Sequence, residues 1–246
     1  GFGRALADHL ADREELVLRR AANALDHFRR VNRNVLFEQL PDTPRVLQRV
    51  VARAIYEWIV DNTFRDAKVR GCGIGDIAAM LTTRNLGGKC ADLNALYVGL
   101  ARAAGVPARD VYGIRVAPSK FGYKSLGANA QDVSRAQHCR SEVYLAGFGW
   151  VPVDAADVRK VVLEEPPTNL AINDRRVAAA RKTLFGSWES NWLAYNFAHD
   201  VALPGSSGPK VAFLMYPQGE IGNVRLDCLD ANNFKYTITA KELTAA

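Results

Sequence analysis

The amino-acid sequence predicts an α+β fold, in which a helix beginning at Cys90 packs against an antiparallel sheet with further helices ahead of it. Three observations carry this reading. Val46, Leu47, Val50, Val51, Ala54, Ile55, Trp58 and Ile59 recur at i, i+1, i+4, i+5, the spacing of one helical face. Leu93, Leu96, Tyr97 and Leu100 form a second apolar stripe within 90–104. After residue 110 the period changes. "VYGIRV" (111–116) alternates between faces, and "HCRSEVYLAGFGWVPVD" (138–154) reads as two strands about a Gly147–Phe148–Gly149 turn. Helices first and strands later is the segregated order of an α+β chain, not the alternation of a parallel sheet.

Taken in order, residues 1–45 set Leu10, Leu18, Ala22, Leu25 and Phe28 among charges, a helical pattern that predicts an N-terminal extension. Pro41 and Pro44 make 34–44 a connector, and Pro44 opens the first strong helix, which ends near Asn62. Gly71, Gly73 and Gly75 form a flexible connection, after which Asp76 can cap a short helix, Ile77–Leu81. Gly105 and Pro107 stop the helix that starts at Cys90. Residues 117–137 are polar and read as a surface excursion. Residues 155–200 read as irregular and helical, with the aromatic cluster "FGSWESNWLAYNF". "LPGSSGP" (203–209) is a loop, and 211–216 and 234–239 lean towards β. The expected organisation is a helical extension over 1–45, a core over 46–200, and a C-terminal segment, 201–246, packed on that core.

Composition excludes several classes. With 48% hydrophobic and 24% charged residues, the chain resembles a folded globular domain rather than a disordered one. No run of about 18 apolar residues exists, so no membrane span is expected. The net charge of +6 sits largely in Arg-containing helical stretches such as Arg13–Arg33, where a solvated face is the ordinary explanation. No nucleic-acid-binding module accompanies it, so no nucleic-acid partner is expected. Cys72, Cys90, Cys139 and Cys228 include no C-x-x-C pair, which argues against a structural metal site. A Cys72–Cys228 disulfide is compatible with an exported protein, and four free thiols with a cytosolic one. Gly1 in place of Met is what a processed or trimmed chain would show.

The chemistry centres on "NLGGKCADLNAL" (85–96). A phosphate loop fails here, because position 83 is Thr where that motif needs Gly, and Cys90 stands where it needs Ser or Thr. A thiol at a helix N-terminus, by contrast, is favoured as thiolate by unpaired N–H groups and the helix dipole. The same N–H groups can receive an oxyanion in acyl transfer. Gly87 and Gly88 would let a substrate carbonyl approach the backbone. For a lone cysteine here a packing role is the more ordinary explanation. A nucleophile needs a histidine and an orienting acceptor. His9 and His27 lie in the charged N-terminal stretch, and His199 reads as structural. His138 and Asp154 come together at the open end of the predicted hairpin, provided a bulge or offset absorbs the position of the glycine turn. Trp150, between them, reads as core.

"GGKCADLNALYVGLARAAGVPARDVYGIRV" followed by "QHCRSEVYLAGFGWVPVDAAD" resembles the transglutaminase-like superfamily, papain-like-fold proteins that include animal transglutaminases and a bacterial subgroup held to be cysteine proteases. The pattern is G-x-C at a helix start, an aliphatic helix ending in A-G-[IV]-P-[AS]-R, a strand, then H-x-x-x-E-[VF]-Y and G-W-x-x-x-D, and it covers about residues 50–160. The resemblance implies Cys90 as nucleophile, His138 as base and Asp154 as the acid that orients it. It implies a peptide or protein substrate and no cofactor or metal, since the calcium sites of the animal enzymes have no acidic counterpart here. Two departures stand out. Arg140 occupies a position that is often Trp and changes the wall around the imidazole, and Ala155 stands where Pro is common. Trp188, Trp192 and Tyr195 are candidates for aromatic substrate-binding walls beside Gly87 and Gly88, with core packing as the equal alternative.

The function expected from this resemblance is thiol-dependent hydrolysis of amide or peptide bonds through a thioester. Transfer of the acyl group to an amine and a catalytically silent peptide-binding domain are the rivals. A periplasmic or secreted location is favoured over a cytoplasmic one, and the oligomeric state is left open.

Overall fold

The structure is a computed structural model that describes residues 45–128 and 131–243, with the side chains of 45–47 outside the description. Of the N-terminal extension expected over 1–45, residues 1–44, including His9 and His27, lie outside the described residues. The elements run α1 (Arg45–Asn62), β1 (Phe64–Arg65), α2 (Ile77–Thr83), β2 (Gly87–Gly88), α3 (Cys90–Ala103), β3 (Ala108–Arg115), a 3₁₀ turn (Lys124–Leu126), β4 (Gln137–Leu145), β5 (Gly149–Val153), α4 (Ala155–Glu164), α5 (Arg175–Thr183), β6 (Trp192–Asn196), β7 (His199–Val201), β8 (Val211–Phe213), β9 (Glu220–Ile221) and β10 (Val224–Arg225). The architecture is α+β, with helices packed against an antiparallel sheet.

α1 buries the face its periodicity announced: Val51, Ile55, Tyr56, Ile59 and Val60 are each 3% exposed or less. Tyr56 carries a hydroxyl into the core, and it is satisfied by donating to the Arg181 carbonyl at 2.9 Å. α3 is closed by its own sequence. Gly105 takes φ +76°, its N–H donates to the Arg102 carbonyl (2.9 Å), and the Val106 N–H donates to the Ala101 carbonyl (2.9 Å). Both bonds of a Schellman cap are present, and the left-handed φ is why glycine stands there.

The main sheet is antiparallel with strand order β5-β4-β3-β6, and α3 lies across β4 and β3. The core fills the space between that sheet and α1, α3 and α4, with Leu93, Leu96, Tyr97, Val143, Val153 and Val158 fully buried or within 2% of it. At about 1.5–3 kcal/mol per large apolar side chain, this packing fixes α3, and with it Cys90, against β4.

The β4–β5 hairpin pairs Ser141 with Val153 and Leu145 with Gly149. Its centre falls at Gly147, one residue beyond the position that would pair His138 with Asp154. Asp154 instead lies just past β5, as the N-cap of α4. Gly147 and Gly149 both adopt positive φ, which lets the turn close.

Three expectations are corrected. Residues 192–201 are not helical or irregular: Trp192–Asn196 forms the edge strand β6, and β7 pairs with β8. The aromatic residues there obscured the strand because each was read as a packing cluster. Of the two β-leaning tail segments, the first is a strand only over Val211–Phe213, and the second makes only an isolated bridge from Thr239 to Asp132. Trp150 is not core: it is 40% exposed, with the Arg109 guanidinium 4.1 Å above its ring.

Candidate active site

Cys90 is the first residue of α3 and is 3% exposed. A carboxylate anchors this helix start. Asp92, in the third helical position, accepts from the Lys89 N–H (2.9 Å), closing half of a capping box. Its other oxygen accepts from the Ile74 and Gly75 N–H groups at 3.0 and 2.9 Å. The loop ahead of α2 is thereby tied to the thiol's own turn. An ideal Cβ on Gly73 (φ +94°) would lie 1.9 Å from the Asp92 carboxylate, so the close approach requires glycine. The Ala91 N–H donates to the Cys72 carbonyl at 2.9 Å, bringing a second cysteine beside the first. The acid at the third helical position was the sequence signal for Asp92, and it went unread.

His138 is 3% exposed on β4, and the Trp192 indole N–H holds its backbone carbonyl at 2.9 Å. Its Nε2 lies 2.7 Å from Asp154 Oδ2, which leaves Nδ1 as the ring atom not engaged by that acid. Asp154 is fully buried. Its Oδ1 accepts from the Asp157 N–H (3.0 Å) as the α4 cap and from Asn94 Nδ2 (3.3 Å). Asn94 sits one helical turn after Cys90, so α3 carries both the thiol and a donor to the acid.

A second acid joins them. Asp157 Oδ1 is 3.4 Å from His138 Nε2 and 2.5 Å from Arg115 Nη2, and Arg140 Nε is 3.4 Å from Asp154 Oδ2. Asp157 follows Asp154 by three residues, the spacing that puts both on one helix face, and that was its overlooked signal. Buried charges persist only when paired, and these pair: two carboxylates, two guanidinium groups, an imidazolium and a thiolate balance.

The protonation states follow. Burial and Arg115 oppose charge on His138, but Asp157 and Asp154 outweigh them and push its pKa up to about 9. The Cys90 thiol is held well below its ordinary value, first by the neighbouring Cys139 and Cys72 thiols, then by His138, against the cost of burial. Burial, reinforced by Asp157, raises Asp154. Burial would also raise Asp157, but Arg115 and His138 hold it well below the usual carboxylate range. A thiolate–imidazolium pair is the favoured state at neutral pH. His138, Asp154 and Asp157 offer donors within 4.8 Å of one another, close enough for a metal ion. Those donors already face each other and Arg115, so a cation there would have to displace a guanidinium.

Cys90 and His138 open onto a cleft of about 690 Å³. Cys72 and Gln137 flank them, and Tyr216, Leu229, Phe234 and Tyr236 of the C-terminal segment form the facing wall.

The structure brings together Cys90, His138 and Asp154, and it separates the other candidates from the cleft wall. A Cβ on Gly87 would strike the Phe64 ring at 2.3 Å and one on Gly88 the Asp92 Cβ at 2.5 Å, so the close approach these glycines permit is to the chain itself. Trp188 and Trp192 stack edge to face at 5.4 Å and clasp Arg140, whose guanidinium lies 4.7 Å from the Trp192 ring centre. They stand behind the imidazole, and Arg140 fills the place where the resemblance led us to expect tryptophan. Tyr195 is 43% exposed on β6 and lines no part of the cleft. All four cysteines are free thiols, so no Cys72–Cys228 disulfide exists: Cys72 Sγ instead donates to the Gln137 carbonyl at 3.3 Å.

Residues 41–155 match the family model of the transglutaminase-like superfamily, a stretch that holds Cys90, His138 and Asp154. An uncharacterized protein of Haemophilus influenzae (strain Rd) is 46% identical over 201 residues, which is 78% of this chain and 54% of that protein. The chain thus spans about half the length of the curated relative it matches. Solved structures show looser likenesses. A proposed cysteine protease from Cytophaga hutchinsonii is 22% identical at a TM-score of 0.33, covering 57% of this chain and 37% of that one. Red sea bream transglutaminase is 18% identical at a TM-score of 0.31, covering 43% and 21%. Among the described residues no helix is long and apolar enough to cross a membrane.

Proposed function

We propose that the chain is a thiol-dependent amide or peptide hydrolase that works through a Cys90 thioester. The observation that carries this is that Cys90 and His138 line one cleft while the buried Asp154 carboxylate meets the His138 Nε2 at 2.7 Å. The Cys90 thiolate attacks the substrate carbonyl, and negative charge develops on oxygen beside the N-terminus of α3, where the dipole and the Cys90 N–H favour it. His138, already protonated, gives its proton to the leaving amine as the C–N bond breaks and the thioester remains. Water then attacks the thioester. His138 takes a proton from it, and the carboxylic acid leaves as the thiolate returns. Asp154 orients the ring and stabilises the imidazolium before it protonates the leaving amine and again after it takes the proton from water.

Incubation with a peptide library and mass spectrometry is expected to find acyl adducts on Cys90 and none on Cys72, Cys139 or Cys228. Cys90→Ala is expected to lose all turnover while keeping its thermal transition. An added primary amine separates the fates, because its incorporation would identify acyl transfer. Equal labelling of the four cysteines, or turnover by the alanine variant, would sink the assignment.

A further inference from the structure

The cleft that opens on Cys90 is charged with one sign. Among the described residues no Asp or Glu lines it, whereas Arg and Lys do so repeatedly. Some of these cations have partners that lie outside the lining: Arg115 pairs with Asp157, Lys160 and Arg65 with Glu164, and Arg70 with Asp227. Lys89, Arg135 and Lys235 have no carboxylate within ion-pair distance among the described residues. Lys89 is half-buried at the N-cap position directly before Cys90, and Arg135 stands three residues before His138.

Like charges on one concave wall repel one another and focus a positive potential, with Lys89 half-buried and Arg135 and Lys235 exposed. The catalytic charges do not relieve it, since the Cys90 thiolate is matched by His138. An anionic ligand does relieve it. The remaining wall is apolar and aromatic, from Tyr216, Leu229 and Phe234, and the volume of about 690 Å³ suits a chain of several residues rather than a bare inorganic anion.

We propose that the cleft selects an acidic peptide, with Asp or Glu side chains flanking the reacting amide and meeting Lys89, Arg135 and Lys235. This rests on the amide-hydrolase reading for the chemistry but not for the binding. It assigns Lys89, which the nucleophile motif leaves without a role.

Two measurements separate the proposal from the function it refines. Calorimetry of the Cys90→Ala protein with a short Glu-Gln-Glu-centred peptide, against the same peptide with its Glu replaced by Gln, reads binding without turnover. The acidic peptide is expected to bind about tenfold more tightly at low salt. Lys89→Gln, Arg135→Gln and Lys235→Gln together should collapse that ratio towards one. Turnover of the two peptides by the wild-type protein should show the same preference in kcat/KM. Equal binding of the two peptides, or a ratio unchanged in the triple variant, would overturn the proposal. Tighter binding of a single-stranded oligonucleotide of equal charge would overturn the peptide assignment. Selective binding with no turnover of any peptide would sink the hydrolase reading and leave this one standing.

Discussion

At the scale of the residue, His138 is held between two acids with different duties. Asp154 makes the short 2.7 Å bond, while Asp157 contacts the ring at 3.4 Å and is itself locked to Arg115. The imidazole is therefore charged well above the usual pH range, with a pKa near 9. If protonated His138 feeds the leaving amine, kcat/KM should fall as pH rises through about 9. Asp157→Asn removes a charge that raises His138 and leaves Arg115, which lowers it. The basic limb should then move down by at least about one pH unit, read from kcat/KM against pH. A limb that stays put would assign Asp157 to structure alone. The sign for stability is also set. The folded pKa exceeds the ordinary 6.5, so the contribution of His138 is whole below pH 6.5 and is lost as pH passes about 9. Chemical denaturation at pH 7 and pH 10 measures it. Asp157 works in the opposite direction: its carboxyl is depressed, so its contribution is lost on acidification below the usual carboxylate range.

At the scale of the element, the position of the sulfur depends on how α3 begins. Asp92 binds three backbone N–H groups from Ile74, Gly75 and Lys89, and so joins a loop to a helix end across 17 or 18 residues of chain. Asp92→Ala would leave those donors without an acceptor, at a cost of about 3 kcal/mol. The thermal transition should fall by roughly 10 °C, and a loss under a couple of degrees would mean that water replaces the carboxylate. β4 and α4 carry the other two groups. Trp192 of β6 pins the His138 carbonyl, and Asp154 does double service as helix cap and imidazole partner. The helix over 90–103 and the hairpin were legible because both rest on local periodicity and glycine punctuation. β6 was not, since an edge strand of Trp, Leu and Tyr has no polar alternation to mark it. A bulge or an offset was expected between His138 and Asp154, and the hairpin takes the one-residue offset. Asp154 then lies just past β5, where the next helix starts.

At the scale of the whole molecule, the net charge of +6 is not spread evenly, because part of it converges on one cleft. Screening reaches about 30 Å at 0.01 M salt and about 8 Å at physiological strength. Raising salt from the first to the second should therefore lower kcat/KM for an acidic peptide several-fold and leave that for a neutral one nearly constant. A parallel decline of both would mean that salt acts on the fold. The sequence by itself determined the α+β order, the helix that starts at Cys90 and the candidacy of Cys90, His138 and Asp154, because periodicity, caps and motif spacing are local. Only the tertiary structure decided what surrounds them. It made Asp157 and Arg115 part of the site and turned Trp188 and Trp192 into a clasp for Arg140. It turned Gly87 and Gly88 towards the chain and gathered lysines and arginines distant in sequence around the thiol. Those outcomes depend on which burials and charge pairings can be satisfied together, a condition that exists only once the elements pack.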